Sequence, residues 1–371
     1  MGVFRVSLVK TVDDSYDIET GRSLTGQLVK DLRGGLMGSR RRFALITDSN
    51  VEKLYAEAIC QSLLDAGFEG QVFAFPAGEK SKTRETKADL EDRMLRAGYR
   101  RDCFVLAVGG GVVSDLAGFL AGTFGRGVPF INYATTLLSA ADASVGGKTA
   151  VDTPLATNLI GLFYQPKKVY IDISCWNTLP QREISSGLAE TIKHACLADR
   201  VFFEYLENHM DNIRKVSPEE CELIAGRNCE IKYRVVMKDE RENGLREVLN
   251  LGHTVGRAIE TLSGYRLLHG EALSIGLIAQ SLLAVRMGYM KQEEADRVKA
   301  LLKSAGLPVK IPEYIDREAL TDMLYTDKKV RNNRLRFVIQ KEIGNVVEFR
   351  PNVFATEVDR ETAREILLAM A

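Results

Sequence analysis

Two of the four histidines in this chain stand in similar polar, glycine-flanked settings, Asn250-Leu251-Gly252-His253-Thr254 and Leu268-His269-Gly270-Glu271-Ala272. Neutral imidazole is the commonest metal ligand, and a catalytic zinc takes three protein ligands while keeping one position open. Glu190 offers the missing carboxylate, because it interrupts the otherwise apolar face of Gly187-Leu188-Ala189-Glu190-Thr191-Ile192-Lys193. A buried glutamate is costly unless paired, so a metal or a lysine belongs beside it. The three residues have no HExxH arrangement, and the competing reading makes both histidines helix caps or core residues. His194, beside Lys193, and His209, in the charged helix end Glu207-Asn208-His209-Met210-Asp211, read as structural or solvated. Lys232, Arg246 and Asn250 sit beside apolar positions ahead of His253, and together they suit a multiply anionic substrate held by charge-assisted hydrogen bonds.

A second stretch has the makings of a phosphate site. Phe104-Val105-Leu106-Ala107-Val108 runs into Gly109-Gly110-Gly111 and then a helix-permissive segment, Val112 to Leu120. Glycines there let backbone approach a ligand at a helix start, whose free N–H groups suit a phosphate. The triplet is not the GxGxxG fingerprint, and a tight strand-to-helix turn is the plain alternative. Farther on, Asp142-Ala143-Ser144-Val145-Gly146-Gly147-Lys148-Thr149 has phosphate-loop composition without GxxxxGK[ST] spacing, which excludes an NTPase reading.

The elements that must position these residues follow from periodicity. Phe43 to Asn50, Gln71 to Phe75, Phe104 to Val108, Ile131 to Ala134 and Lys168 to Asp172 read as strands of a parallel sheet, with Asp48 and Asn50 at a carboxyl end where ligands bind. The alternative there is that Ser49 or Asn50 caps a helix beginning near Val51 and continuing through Leu54, Ala58 and Leu63-Leu64. The loop after Phe75, Pro76 to Lys82, is a solvated charge run or a second ligand contact. Leu24, Leu28 and Leu32, and Leu90, Met94 and Ala97, mark helices. After Pro180, residues to Met287 read as long amphipathic helices, with Leu188, Ile192 and Ala195 on one stripe and Leu223, Cys229 and Ile231 farther on. A hairpin is expected around Gly344-Asn345, pairing Leu335–Ile339 with Val346–Phe349. The fold class is therefore an α/β Rossmann-like first half, residues 1–179, and an all-α second half, residues 180–371.

Fifty Lys plus Arg against fifty Asp plus Glu leave no summed attraction for nucleic acid or anionic membrane. Six cysteines, at 60, 103, 175, 196, 221 and 229, form no CxxC pair, which suits reduced thiols in the cytoplasm. No run approaches 18 apolar residues, and the start lacks a signal peptide's apolar core.

Taken together, Gly109-Gly110-Gly111-Val112-Val113-Ser114-Asp115, Thr135-Thr136-Leu137-Leu138, Asp142 to Ala150, Asn158-Leu159-Ile160-Gly161, Gly187-Leu188-Ala189-Glu190, Asn250 to Thr254 and His269-Gly270-Glu271-Ala272 resemble, in order, the signature blocks of the 3-dehydroquinate synthase family among sugar phosphate cyclases. The resemblance implies an NAD-binding domain, a helical domain holding a divalent metal, usually zinc with cobalt as an alternative, and a homodimer. By position it implies Glu190, His253 and His269 as metal ligands. Asp48, Asn50, Glu79, Lys82, Gly110, Gly111, Asp115, Thr135, Thr136, Lys148 and Thr178 would line the NAD site. Asp142, Lys148, Asn158, Lys193, Lys232, Arg246, Asn250 and Lys329, preferred over Lys328, would surround the substrate, with Arg126 reaching its phosphate across the dimer. The implied reaction closes 3-deoxy-D-arabino-heptulosonate 7-phosphate to 3-dehydroquinate with loss of phosphate.

Three positions depart from the family pattern. Arg257 stands where the family has a second histidine one turn after His253, Ala156-Thr157 replaces Gly-Lys, and Ala134 replaces a proline. An arginine there keeps an anion contact and loses proton transfer. The competing readings are a sister cyclase acting on sedoheptulose 7-phosphate or an amino analogue, a metal-dependent polyol dehydrogenase, and a binding protein without catalysis.

Overall fold

The computed structural model describes residues 5–9, 11–326 and 335–370. Its first half alternates strand and helix: β1 (Asp17–Gly21), α1 (Thr25–Arg33), β2 (Arg42–Asp48), α2 (Glu57–Asp65), β3 (Glu69–Phe75), α3 (Arg84–Arg96), β4 (Cys103–Gly109), α4 (Gly111–Thr123), β5 (Phe130–Ala134), β6 (Lys148–Thr153), β7 (Ala156–Phe163) and β8 (Lys168–Asp172). Six of these strands pair in parallel in the order β1-β8-β5-β4-β2-β3. The layers follow from alternation along each strand. On β2, Phe43 and Leu45 pack with Leu28 and Leu32 of α1 and Ile59 and Leu63 of α2, while Ala44 and Ile46 share a cluster with Leu90, Met94, Leu116 and Leu120 of α3 and α4. The chain leaves β2 toward β3 and returns to β4 on its other side, so the carboxyl ends of β2 and β4 flank the switch point where such sheets bind ligands.

The second half contains α5 (Gln181–Ala198), α6 (Arg200–Arg214), α7 (Pro218–Lys238), α8 (His253–Leu262), α9 (His269–Arg286), α10 (Gln292–Ser304) and α11 (Arg317–Thr326), then β9 (Leu335–Val338), β10 (Gln340–Glu342), β11 (Asn345–Val346), β12 (Ala355–Val358) and α12 (Arg360–Ala369). It is mostly helical and not all-α, because β9 pairs with β12 and β10 with β11, both antiparallel. The expected hairpin thus turns at Gly344 but joins shorter strands, and Leu335–Val338 pairs with Ala355–Val358, beyond the expected Val346–Phe349. No described helix is long and apolar enough to cross a membrane.

Three local features go beyond what periodicity gives. Residues Glu52–Ala56 form a wide π-helical turn ahead of α2. The extra residue rotates the helix, so Ala56, Ile59, Cys60 and Leu63 are buried while Leu54 and Leu64 face solvent. On α7 Cys229 and Ile231 are buried as expected, beside a stripe of Cys221, Ala225, Asn228, Lys232 and Val235, and only Leu223 of the expected three is exposed. Lys148, in the segment without phosphate-loop spacing, opens β6, which pairs antiparallel with β7 outside the main sheet.

Candidate active site

Three helices bring the candidate metal ligands together: Glu190 lies inside α5, His253 begins α8 and His269 begins α9. Their approach depends on missing side chains. A Cβ on Gly270 would stand 1.9 Å from the Ser186 carbonyl oxygen of α5, and one on Gly276 of α9 2.0 Å from that of Gly252, so larger residues would drive the helices apart. Gly252 itself turns into α8 with φ +80°, a left-handed conformation that favours glycine. Glu271 reaches back to the Leu268 amide at 2.8 Å, and Arg182, in the first turn of α5, grips the same carboxylate at 2.7 and 2.6 Å, tying the starts of α5 and α9.

Glu190 Oε1 lies 3.3 Å from His253 Nε2 and 3.2 Å from His269 Nε2. Ligand atoms of a tetrahedral zinc with bonds of about 2.1 Å stand roughly 3.4 Å from one another, so the spacing fits a small divalent cation. The ring nitrogens facing away are engaged, His253 Nδ1 with the Leu251 carbonyl at 3.3 Å and His269 Nδ1 with Glu260 Oε2 at 3.2 Å. Burial opposes charge on Glu190, yet Lys193 and His253 hold its carboxyl well below the usual range. Burial pushes His253 down to about 4, which leaves a neutral ligand. It also disfavours a charged His269, but Glu260 and Glu190 prevail and bring that ring up to about 10. A ring between two carboxylates calls for a cation, and a metal at Nε2 answers that need as a proton does.

Around this trio stand the anion-binding candidates. Lys193 is buried and ion-paired with Glu190. Asp142, on a π-helical turn at Ser139–Ala143, pairs with Lys232 of α7 at 2.5 Å, and although burial opposes its charge, Lys232 holds its carboxyl far below the ordinary value. Arg246 is 2 % exposed and donates to the Gly146 carbonyl at 2.9 Å and to that of Glu240. Lys148 pairs with Glu242, which also accepts from Asn250 at 2.5 Å. Asp142 is within electrostatic reach of Lys193 and Lys232, and Lys148 of Arg246 and Asp142, so these groups form one polar wall.

On the sheet side, Gly110 precedes α4 with no side-chain cap, so the first N–H groups of the helix keep their hydrogen-bonding capacity beside the switch point. A Cβ on Gly110 would stand 3.2 Å from Thr136, and one on Gly111 3.3 Å from Ala143. Lys82 is buried and contacts Asp115 at 2.6 Å, Glu79 at 3.5 Å and the Asn158 side-chain oxygen at 2.6 Å. Burial would lower its pKa, but Asp115 and Glu79 raise it instead. Asn158 therefore joins the group of Lys82 and not that of Lys193. The Asp48 carboxylate accepts from the amides of Asn50 and Val51, at 2.8 and 3.1 Å, so Asp48 caps this turn in place of Ser49 or Asn50; Ser49 Oγ accepts from Ala77 instead. Thr178 bonds Tyr55 at 2.7 Å, and Thr135 is buried next to Thr136.

Residues 72–186 match the family model described as 3-dehydroquinate synthase N-terminal, and residues 187–330 the one described as 3-dehydroquinate synthase C-terminal. The chain belongs to the 3-dehydroquinate synthase family. It is 44% identical to a 3-dehydroquinate synthase of Pelobacter propionicus over 92% of this chain and 95% of that one, and 39% identical to one of Nostoc punctiforme over 98% of both. Among solved structures it is similar to 2-epi-5-epi-valiolone synthase from Streptomyces hygroscopicus with NAD+ and Zn2+ bound, at TM-score 0.86 and 27% identity over 99% of both chains. A glycerol dehydrogenase from Schizosaccharomyces pombe, at TM-score 0.65 and 16% identity over 98% of this chain and 92% of that one, shares the fold.

Within this member of the 3-dehydroquinate synthase family, some expected site residues stand apart. Arg126 is exposed on a turn at Phe124–Arg126, with φ +72°. Arg257 lies one turn after His253 and is half-buried. Lys329, like Lys328, falls outside the described residues. Glu260 and Glu242 carry ligand-facing bonds that sequence reading missed, since a glutamate on a helix or in a charged bend has no pattern to separate it from solvated ones. His194 is fully buried and bonds Asn228 at 3.0 Å, in keeping with a structural role. His209 stacks on Tyr205 with ring centroids 4.0 Å apart.

Proposed function

We propose that this chain is a phosphate-eliminating lyase that converts 3-deoxy-D-arabino-heptulosonate 7-phosphate to 3-dehydroquinate and inorganic phosphate. The observation that carries the reading is the convergence of Glu190, His253 and His269 on one point, walled by Lys193, Lys232, Arg246 and Lys148, in a chain of this family. When bound, NAD supplies a hydride acceptor that is regenerated each turnover, and a divalent metal, zinc in the first instance, polarises substrate oxygen.

The side chains divide the remaining work. Glu190, His253 and His269 hold the metal. Lys193, Lys232, Arg246, Lys148 and Asn250 neutralise and orient the substrate's carboxylate and phosphate; Lys193, Lys232 and Arg246 do so from a buried setting where such contacts are strong, and Lys148 from the more open side. Asp142 stays ionised through Lys232 and orients that ammonium. Gly110, Gly111, Asp115, Thr135, Thr136, Thr178, Asp48, Asn50, Glu79 and Lys82 line the dinucleotide side, with Asn158 joining Lys82. Arg257 adds a permanent positive charge one turn from His253 and moves no proton. Arg126 acts on the phosphate held by a second copy in a cytoplasmic homodimer. Residues 1–179 supply the dinucleotide side and residues 180–371 the metal ligands, with Asp142, Lys148 and Arg126 of the first part reaching the substrate.

The test is phosphate release from 3-deoxy-D-arabino-heptulosonate 7-phosphate by zinc-loaded protein with NAD, followed together with absorbance for NADH. Stoichiometric phosphate with no lasting NADH is the expected result. Release only from sedoheptulose 7-phosphate would transfer the chain to the sister cyclases, and NADH accumulating on a polyol would make it a dehydrogenase.

A further inference from the structure

Glu260 faces the metal ligands from α8 yet belongs to neither the ligand trio nor the anion wall. It follows His253 by seven residues, two helical turns, so both project from the same side of α8. Its side chain is 14 % exposed, and its Oε2 lies 3.2 Å from His269 Nδ1, while His269 Nε2 lies 3.2 Å from Glu190 Oε1. One ring is thus held between two carboxylates that face its opposite nitrogens.

A neutral imidazole has one N–H and one lone pair. Glu260, when ionised, can only accept, so the proton belongs on Nδ1 and the lone pair on Nε2, aimed at the point shared with His253 and Glu190. The two histidines differ in this respect. His253 Nδ1 faces only a backbone carbonyl, that of Leu251, at 3.3 Å, a neutral and longer contact. His269 is also the more open ring, with its side chain 29 % exposed against 7 % for His253, so packing constrains it less. What packing does for His253, a charge-assisted hydrogen bond must do for His269.

We propose that Glu260 is a positioning residue that fixes the Nδ1–H tautomer and ring orientation of His269 and thereby sets the affinity of the site for its divalent metal. This rests on the ligand assignment of the proposed function. Outer partners of this kind change metal affinity by roughly 10- to 100-fold when removed. Glu260 also ties the metal to helix α8 by a second route besides His253, so the spacing of α8 and α9 and the coordination geometry become one property.

The test measures Zn2+ affinity by competition with a chromogenic chelator, and the visible absorption bands of the Co2+-loaded protein, in Glu260→Gln and Glu260→Ala. Glu260→Gln keeps an oxygen acceptor of the same shape and loses the charge. The expected result is weaker metal binding in both variants, about 10-fold or more for alanine and less for glutamine, with altered Co2+ bands and NAD affinity unchanged. A merely structural role would lower the melting temperature of the metal-free protein without moving the Co2+ bands of the folded, loaded variant, and that outcome overturns the proposal. So does wild-type affinity in both variants while Glu190→Gln abolishes binding, a pattern that leaves the ligand trio standing. If Glu190→Gln binds metal as the parent does, the trio itself is wrong and the role of Glu260 falls with it.

Discussion

Two buried charges, Glu190 in the helical half and Lys82 in the sheet half, are compensated in opposite ways. Glu190 is an anion surrounded by nitrogen: Lys193 on one oxygen, His253 and His269 on the other. Lys82 is a cation surrounded by oxygen: Asp115, Glu79 and Asn158. The lysine is paired with carboxylates already in place, an arrangement that braces the loop after β3 against α4 and needs no further cation. The glutamate's two imidazoles carry lone pairs once they are neutral, so that cluster is complete only with a cation. The difference teaches that an excess of acceptors around one point, and not burial of charge as such, marks where an exogenous ion belongs.

The largest expected effects test the open cluster. His269→Ala should abolish phosphate release and weaken metal binding while leaving NAD affinity nearly intact; turnover retained in metal-depleted buffer would erase the contrast. Lys82→Met comes next. It leaves Asp115 and Glu79 without their buried cation, which should cost about 3–5 kcal/mol in urea unfolding and weaken NAD binding, with metal affinity unchanged. If metal affinity falls equally, the two clusters act as one unit.

A pH measurement sharpens the comparison further. The Asp142 carboxyl is held below its ordinary value of 3.8, so the stability it contributes is present above that value and is lost as the pH falls beneath it. Asp142→Asn should flatten the acid limb of a stability-against-pH curve between about pH 2 and 5, at the cost of an overall drop from unpaired Lys232. An unchanged acid limb would show that other carboxyls govern it. The smallest effect belongs to Arg182→Ala. Its guanidinium is 54 % exposed, so losing the contact with Glu271 should cost under about 1 kcal/mol in thermal unfolding. Any larger loss of metal affinity would mean that the clip between α5 and α9 controls the position of His269.

Much of the architecture could be read from local pattern. Strand residues such as Phe43 to Asp48 alternate between two helical layers, and Leu28, Leu32, Leu90 and Met94 fall inside the core as their spacing implies. Where pattern failed, a non-local or irregular feature intervened. A π-helical turn lies ahead of α2, with Leu54 and Leu64 outside, and Leu335–Val338 skips the adjacent β10–β11 hairpin to pair with Ala355–Val358, after a second turn at Pro351-Asn352. Asn158 went to Lys82 because the antiparallel β6–β7 pair, unforeseen in the sequence, carries it back toward Asp115.

By itself the sequence determined the parallel sheet, the helical second half and the residue types able to bind a metal and a polyanion, because strand and helix periods and the rarity of buried charge are local properties. Only the tertiary structure decided which atoms meet. It set the 3.2 and 3.3 Å approaches to one oxygen of Glu190 and the turning of Glu260 toward His269, because those contacts depend on close approaches at Gly252, Gly270 and Gly276 that bring residues far apart in the chain to one point, and it turned Glu242, in the bend after α7, toward Lys148 and Asn250.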